Sequence, residues 1–82
     1  MNLSNYANIY PNPANNFTVI SWDNESVERI EIYNVVGTLV HYENTVGKSA
    51  SRIEVGNLES GMYFINLKSA NGTMTAKLMI LD

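Results

Sequence analysis

The 82-residue chain contains no cysteine, two prolines, five glycines, one histidine, one tryptophan and only five Lys plus Arg residues against eight Asp plus Glu. Without cysteine no disulfide can staple so small a domain, and its stability has to come from packing and backbone pairing. The same lack, with His41 as the lone imidazole, leaves too few ligands for a zinc site. Arg29, Lys48, Arg52, Lys68 and Lys77 are scattered through a chain of net charge −3, so no basic stripe exists to neutralise phosphates, and nucleic acid is excluded as a partner. The longest apolar stretches, such as Leu78 to Leu81, fall far short of the ~20 residues a membrane span needs. No basic segment followed by an apolar one comes after Met1, so no secretory signal peptide is expected within the chain.

Helical periodicity is missing as well. Short apolar, β-branched and aromatic runs recur between clusters of Asn, Ser, Gly and Asp, at Tyr6 to Tyr10, Phe17 to Trp22, Val27 to Tyr33, Leu39 to Tyr42, Arg52 to Val55, Met62 to Lys68 and Thr73 to Leu81. This pattern predicts an all-β chain, an immunoglobulin-like antiparallel β-sandwich of about seven strands, with residues 6–82 as one folded unit and a boundary at residues 1–5. Pro11 and Pro13 remove two backbone donors and place the first strand at an edge. Gly37 suits a tight hairpin, Asn71-Gly72 another, Asp23 to Ser26 a turn, and Glu43 to Ser51 the longest polar connection. The run Phe17 to Trp22 alternates ambiguously; Phe17 and Val19 are taken as its inward residues. The expected core is then Phe17, Val19, Ile30, Ile32, Ile53, Val55, Tyr63, Ile65, Leu67, Leu78 and Ile80.

Catalytic chemistry is poorly provided for. His41 stands two residues from Glu43, on the same strand face, and a serine could approach the pair in three dimensions; with no nucleophile motif, both read as solvated strand residues. Asp23-Asn24-Glu25-Ser26 offers oxygen ligands but lacks the alternating acids and glycine of a calcium loop. No metal or cofactor is expected. Trp22, Tyr33, Tyr42 and Phe64 are candidates for a sugar-stacking platform, although strand aromatics more often pack across neighbouring strands. Four N-x-S/T sequons, at Asn2, Asn16, Asn24 and Asn71, are readily produced by chance in so asparagine-rich a chain.

Three motifs in order, Ile9-Tyr10-Pro11-Asn12-Pro13-Ala14-Asn15-Asn16, Ile32-Tyr33-Asn34-Val35-Val36-Gly37-Thr38-Leu39-Val40, and Leu58-Glu59-Ser60-Gly61-Met62-Tyr63-Phe64-Ile65 followed by Lys77-Leu78-Met79-Ile80, resemble a C-terminal sorting domain of the type IX (Por) secretion system. The resemblance runs from about Ile9 to Leu81. It departs from the family pattern at Thr38, where a basic or amide residue often follows the glycine, and at Asp82, where many members end in or near a basic residue. It implies a non-catalytic address at the C-terminus of a larger protein of a Bacteroidetes-type bacterium, with the cargo domain N-terminal to it. The implied partners are the type IX translocon and its shuttle components, and a sortase-like cysteine peptidase that removes the domain in or upstream of its first few residues. The cargo passes through the periplasm and is then released or held at the outer membrane and cell surface. Pro11, Asn12, Pro13, Gly37, Gly61, Tyr63 and Lys77 are the motif residues singled out as recognition candidates. Tyr63 also looks like a core aromatic whose polar tip needs a partner, and strand addition at an exposed edge is one mode of recognition. The competing reading is a carbohydrate-binding or adhesive sandwich module, which the fold class permits.

Overall fold

A computed structural model describes residues 7–22 and 27–81. Seven strands form: β1 (Ala7–Tyr10), β2 (Phe17–Trp22), β3 (Val27–Asn34), β4 (Leu39–Asn44), β5 (Ala50–Glu54), β6 (Gly61–Ser69) and β7 (Gly72–Ile80). They make two antiparallel sheets, ordered β1-β2-β5 and β4-β3-β6-β7, packed as a sandwich. In the constant-type immunoglobulin order the fourth strand pairs with the fifth. Here it pairs with the third, which leaves β5 and β4 facing each other across one open side and β1 and β7 across the other.

The expected alternation holds in β3, β5, β6 and β7, whose Ile30, Ile32, Ile53, Ile65, Leu67, Leu78 and Ile80 are buried together with Val55 and Tyr63. It fails in β2. Thr18, Ile20 and Trp22 face the core, and Phe17 and Val19 lie half-buried on the opposite face. Both faces of this strand carry apolar side chains, so the register with β5 decides. That register sets Phe17 against Glu54 and Val19 against Arg52, and the Arg52 guanidinium covers the Phe17 ring at 3.9 Å. Buried Thr18 is tolerated because its hydroxyl donates to the Pro11 carbonyl at 2.9 Å.

Glycine and asparagine set the turns. Ala70 and Asn71 form the two-residue loop of the β6–β7 hairpin, with Gly72 already paired to Ser69. The β4–β5 connection shrinks to residues 45–49, where buried Thr45 donates its hydroxyl to Val27 O at 2.7 Å. A bulge opposite Ile32 and Tyr33 adds Val40 to β4 and packs it against the core. Tyr6, the Asp23 to Ser26 turn with its calcium reading, the boundary at residues 1–5 and the sequons at Asn2 and Asn24 lie outside the described residues.

Candidate functional site

Four segments meet at one end of the sandwich: residues 11–16 after β1, the β3–β4 turn, the β5–β6 connection and the last residues of β7. The register fixes this, because Asn34 pairs with Tyr63, Gly61 with Ile80, and Ala14 bridges to Ile80. Pro11, Asn12, Pro13 and Gly37 fall on these segments, and Gly61 and Tyr63 at the start of β6 and Lys77 in β7 lie beside them.

Residues 11–15 close the outer edge of β7. Neither Pro11 nor Pro13 has an N–H to donate, so a regular ladder along that edge is unavailable. The Asn12 side-chain amide pairs with the edge in their place, donating through Nδ2 to Lys77 O at 3.0 Å and accepting through Oδ1 from Met79 N at 2.9 Å. Only this amide orientation sets donor against carbonyl and acceptor against N–H. The backbone then takes over: Ala14 N donates to Met79 O and Leu81 N to Ala14 O, both at 2.8 Å, and Asn15 Nδ2 reaches Leu81 O at 3.1 Å. Ala14 is buried and joins the core. Strand addition by a partner at the C-terminal half of β7 is therefore pre-empted by the chain's own first motif.

The middle motif makes the β3–β4 turn. Asn34 Oδ1 accepts from Val36 N at 3.1 Å and Thr38 N at 2.9 Å, and its carbonyl accepts from Gly37 N at 3.0 Å. Gly37 sits at φ +89 with open space where a Cβ would stand, so a substitution there is opposed by the backbone conformation and not by a clash. In the third motif Tyr63, buried at the start of β6, donates its hydroxyl back to Glu59 O at 2.7 Å. This is the tyrosine corner of immunoglobulin-like sandwiches, and it ties the β5–β6 connection to the core. Val35, Val36, Glu59, Gly61, Met62 and Tyr63 help to line a depression of about 170 Å³. Lys77 is exposed on the outer face, opposite Phe64.

Two other groupings anticipated in the sequence take a different form. A serine does approach His41 and Glu43: Ser51 of β5 donates its hydroxyl to Glu43 Oε2, while His41 Nε2 stands 3.4 Å from Oε1 and Lys48 Nζ 3.3 Å from Oε2. Glu43 is thus not a merely solvated residue. The carboxylate separates serine from imidazole, the reverse of the order that activates a nucleophile. Burial pushes the Glu43 carboxyl up, but hydrogen bonds from Ser51, Lys48 and His41 together outweigh it and hold the group below the usual carboxylate range. The four-ring platform is not assembled either. Trp22 is buried with its Nε1 donating to Lys48 O at 3.2 Å, and only Tyr33, Tyr42 and Phe64 remain on the outer face of the larger sheet. There the Tyr33 hydroxyl donates to Glu31 at 2.9 Å, chiefly through which, against partial desolvation and with help from Arg29 and Lys68, the Glu31 carboxyl is lowered. Among the described residues no three potential metal ligands come together.

Asn12 and Tyr63 were visible in the sequence as motif residues, but their partners were not. Ala14, Asn15, Asn34 and the exposed Val35 and Val36 stood inside the quoted motifs without being singled out. The one available signal was the pair of β-branched valines in a segment that closes on glycine, where turns favour polar residues.

The model of the secretion system C-terminal sorting domain family matches residues 8–81. An ulvan lyase of Nonlabens ulvanivorans is 36% identical over 74 residues, which cover 90% of this chain and 14% of that protein. The chain thus corresponds to a small part of that relative's length. With its three motifs joined at one pole and a family match across nearly all of its length, the chain belongs to the C-terminal sorting domains of the type IX secretion system, a non-catalytic signal for the secretion of a cargo protein.

Proposed function

We propose that the folded sandwich, and not a linear peptide, is what the secretion machinery reads. The carrying observation is the joining of the first and last motifs by hydrogen bonds between residues 65 and more apart in sequence. In this reading the cargo precedes the domain, travels through the periplasm and is delivered by shuttle components to the outer-membrane translocon. A sortase-like cysteine peptidase cuts in or upstream of the first few residues, and the cargo is released or held at the cell surface. The first described strand enters the fold away from the motif-bearing end. The described chain begins at Ala7, paired with Trp22, at the end opposite the motifs, and β6 alone separates the two ends by about 27 Å. In the Nonlabens relative the matching segment belongs to an ulvan lyase, and a secreted enzyme is a fitting cargo here too.

Pro11, Asn12 and Pro13 then shape the cover on β7, Gly37 and Gly61 set the turns, Tyr63 fixes the corner, and Lys77 presents a charge on the outer face. The test is a fluorescent protein fused ahead of the chain in a type IX–competent strain and in one lacking the translocon. Export confined to the competent strain supports the reading; equal retention in both contradicts it. Lys77→Ala, an exposed change expected to alter stability by no more than ~0.5 kcal/mol, asks whether that charge is part of the address.

A further inference from the structure

Seven large apolar side chains are exposed among the described residues, and five of them, Tyr10, Val35, Val36, Leu39 and Leu81, lie at the motif pole. Scattered exposed apolar residues are ordinary on a protein surface, but Val35 and Val36 are adjacent and line a depression. Val35 and Val36 are 68% and 81% exposed. Their turn is held entirely by hydrogen bonds to Asn34, and neither side chain joins the core. The fold gains nothing from two valines in water at a position where turn chemistry favours polar residues. They line the depression together with Gly61, Met62 and Tyr63, and among the described residues Glu59 is its only charged lining residue.

We infer that this pole is the docking surface by which the secretion machinery grips the domain. Its occupant is an apolar loop of a machinery protein carrying a Lys or Arg at its edge to face Glu59. The inference rests on the sorting function and adds to it the surface and the chemistry of the partner. The apolar lining supplies the affinity of the contact, and Glu59 supplies orientation and encounter rate. The pole lies at the far end of the strands from Ala7.

Val46 provides a matched control, being 64% exposed in the β4–β5 connection at the opposite pole. The experiment measures the exported fraction of a fluorescent cargo fused to the full chain, beside the melting temperature of each purified domain. The double variant Val35→Ser/Val36→Ser is expected to lower export roughly tenfold or more while the melting temperature moves by no more than about 2 °C. Val46→Ser should change neither. Glu59→Lys should lower export by a smaller factor, roughly threefold, because a rim charge acts mainly on encounter. Should the double variant melt early, Val36→Thr, which keeps the branched shape and adds a hydroxyl, carries the same expectation in direction. If the parent fusion is exported and the valine variants are exported equally well, the docking surface is wrong and the sorting function stands. Equal loss with Val46→Ser overturns the inference in favour of general surface polarity. A parent domain that light scattering finds dimeric, and that Val35→Ser/Val36→Ser renders monomeric, overturns it in favour of a second copy as occupant. A parent fusion that is not exported at all removes the sorting function and the inference with it.

Discussion

The two open sides of the sandwich are closed by opposite kinds of chemistry. On the β1–β7 side the closure is neutral: an asparagine amide and backbone groups of residues 12–15 pair with residues 77–81. On the β4–β5 side it is ionic, with Glu43 gathering Ser51, Lys48 and His41. The first closure is built from residues of the first and last motif segments, whereas Glu43, Ser51, Lys48 and His41 belong to none of the motifs. Neutral hydrogen bonds between chain ends hold their strength across pH and ionic strength, whereas a carboxylate cluster answers to both. The closure made by motif residues is thus the one insulated from changes of pH and ionic strength.

Breaking both sides at once should have the largest effect. Ile65 is fully buried between the sheets, and Ile65→Ala should cost about 2–5 kcal/mol, enough to unfold a domain of this size near physiological temperature. Urea melts of the purified domain check this.

Asn12→Ala comes next, removing one donor and one acceptor from the β7 edge. With each bond worth about 0.5–1.5 kcal/mol, the loss should be about 1–2 kcal/mol and the same from pH 4 to pH 8. A loss that varies with pH would erase the contrast between the two sides.

Glu43→Gln should cost less at neutral pH, under about 1 kcal/mol, because a half-exposed lysine supplies much of the pairing. Its signature is in acid. The folded Glu43 carboxyl lies below its unfolded value near 4.5, so its contribution is present above that pH and is lost as pH falls through the folded value. Melting temperatures from pH 7 to pH 3 should therefore fall less steeply for Glu43→Gln than for the parent below pH 4.5. The lowered Glu31 carboxyl contributes acid sensitivity in the same direction.

The smallest structural effect belongs to Tyr42→Ser, an exposed change on the edge strand of the larger sheet. It should shift stability by no more than ~0.5 kcal/mol in a thermal melt.

Much of the architecture was legible because it is local. Alternation in β3, β6 and β7 named Ile30, Ile32, Ile65, Leu67, Leu78 and Ile80 as core, and Gly37 announced its hairpin through the positive φ that glycine adopts freely. The parity of β2 was not legible. Phe17 and Val19 are no less apolar than Ile20 and Trp22, and the choice between the faces was made by β5 and by Arg52 over the Phe17 ring. Of the site, the motif residues could be read but not their contacts. Nothing near Asn12 indicates a partner at Lys77 and Met79, because the pairing exists only once two chain ends meet. The same holds for Glu43: its closeness to His41 follows from strand period, whereas Ser51 arrives from the other sheet.

The central claim is that the address is a folded surface assembled from both ends of the chain. It is tested most directly by the exported fraction of full-length fluorescent cargo fused to the parent domain or to Ile65→Ala, with growth temperature set above and below the variant's melting point. The account predicts export of the parent at both temperatures, and export of the variant only below its melting point, with intact fusion detected by immunoblot in each case. Undiminished export of intact Ile65→Ala fusion above its melting point would contradict it, and would place the signal in the linear sequence.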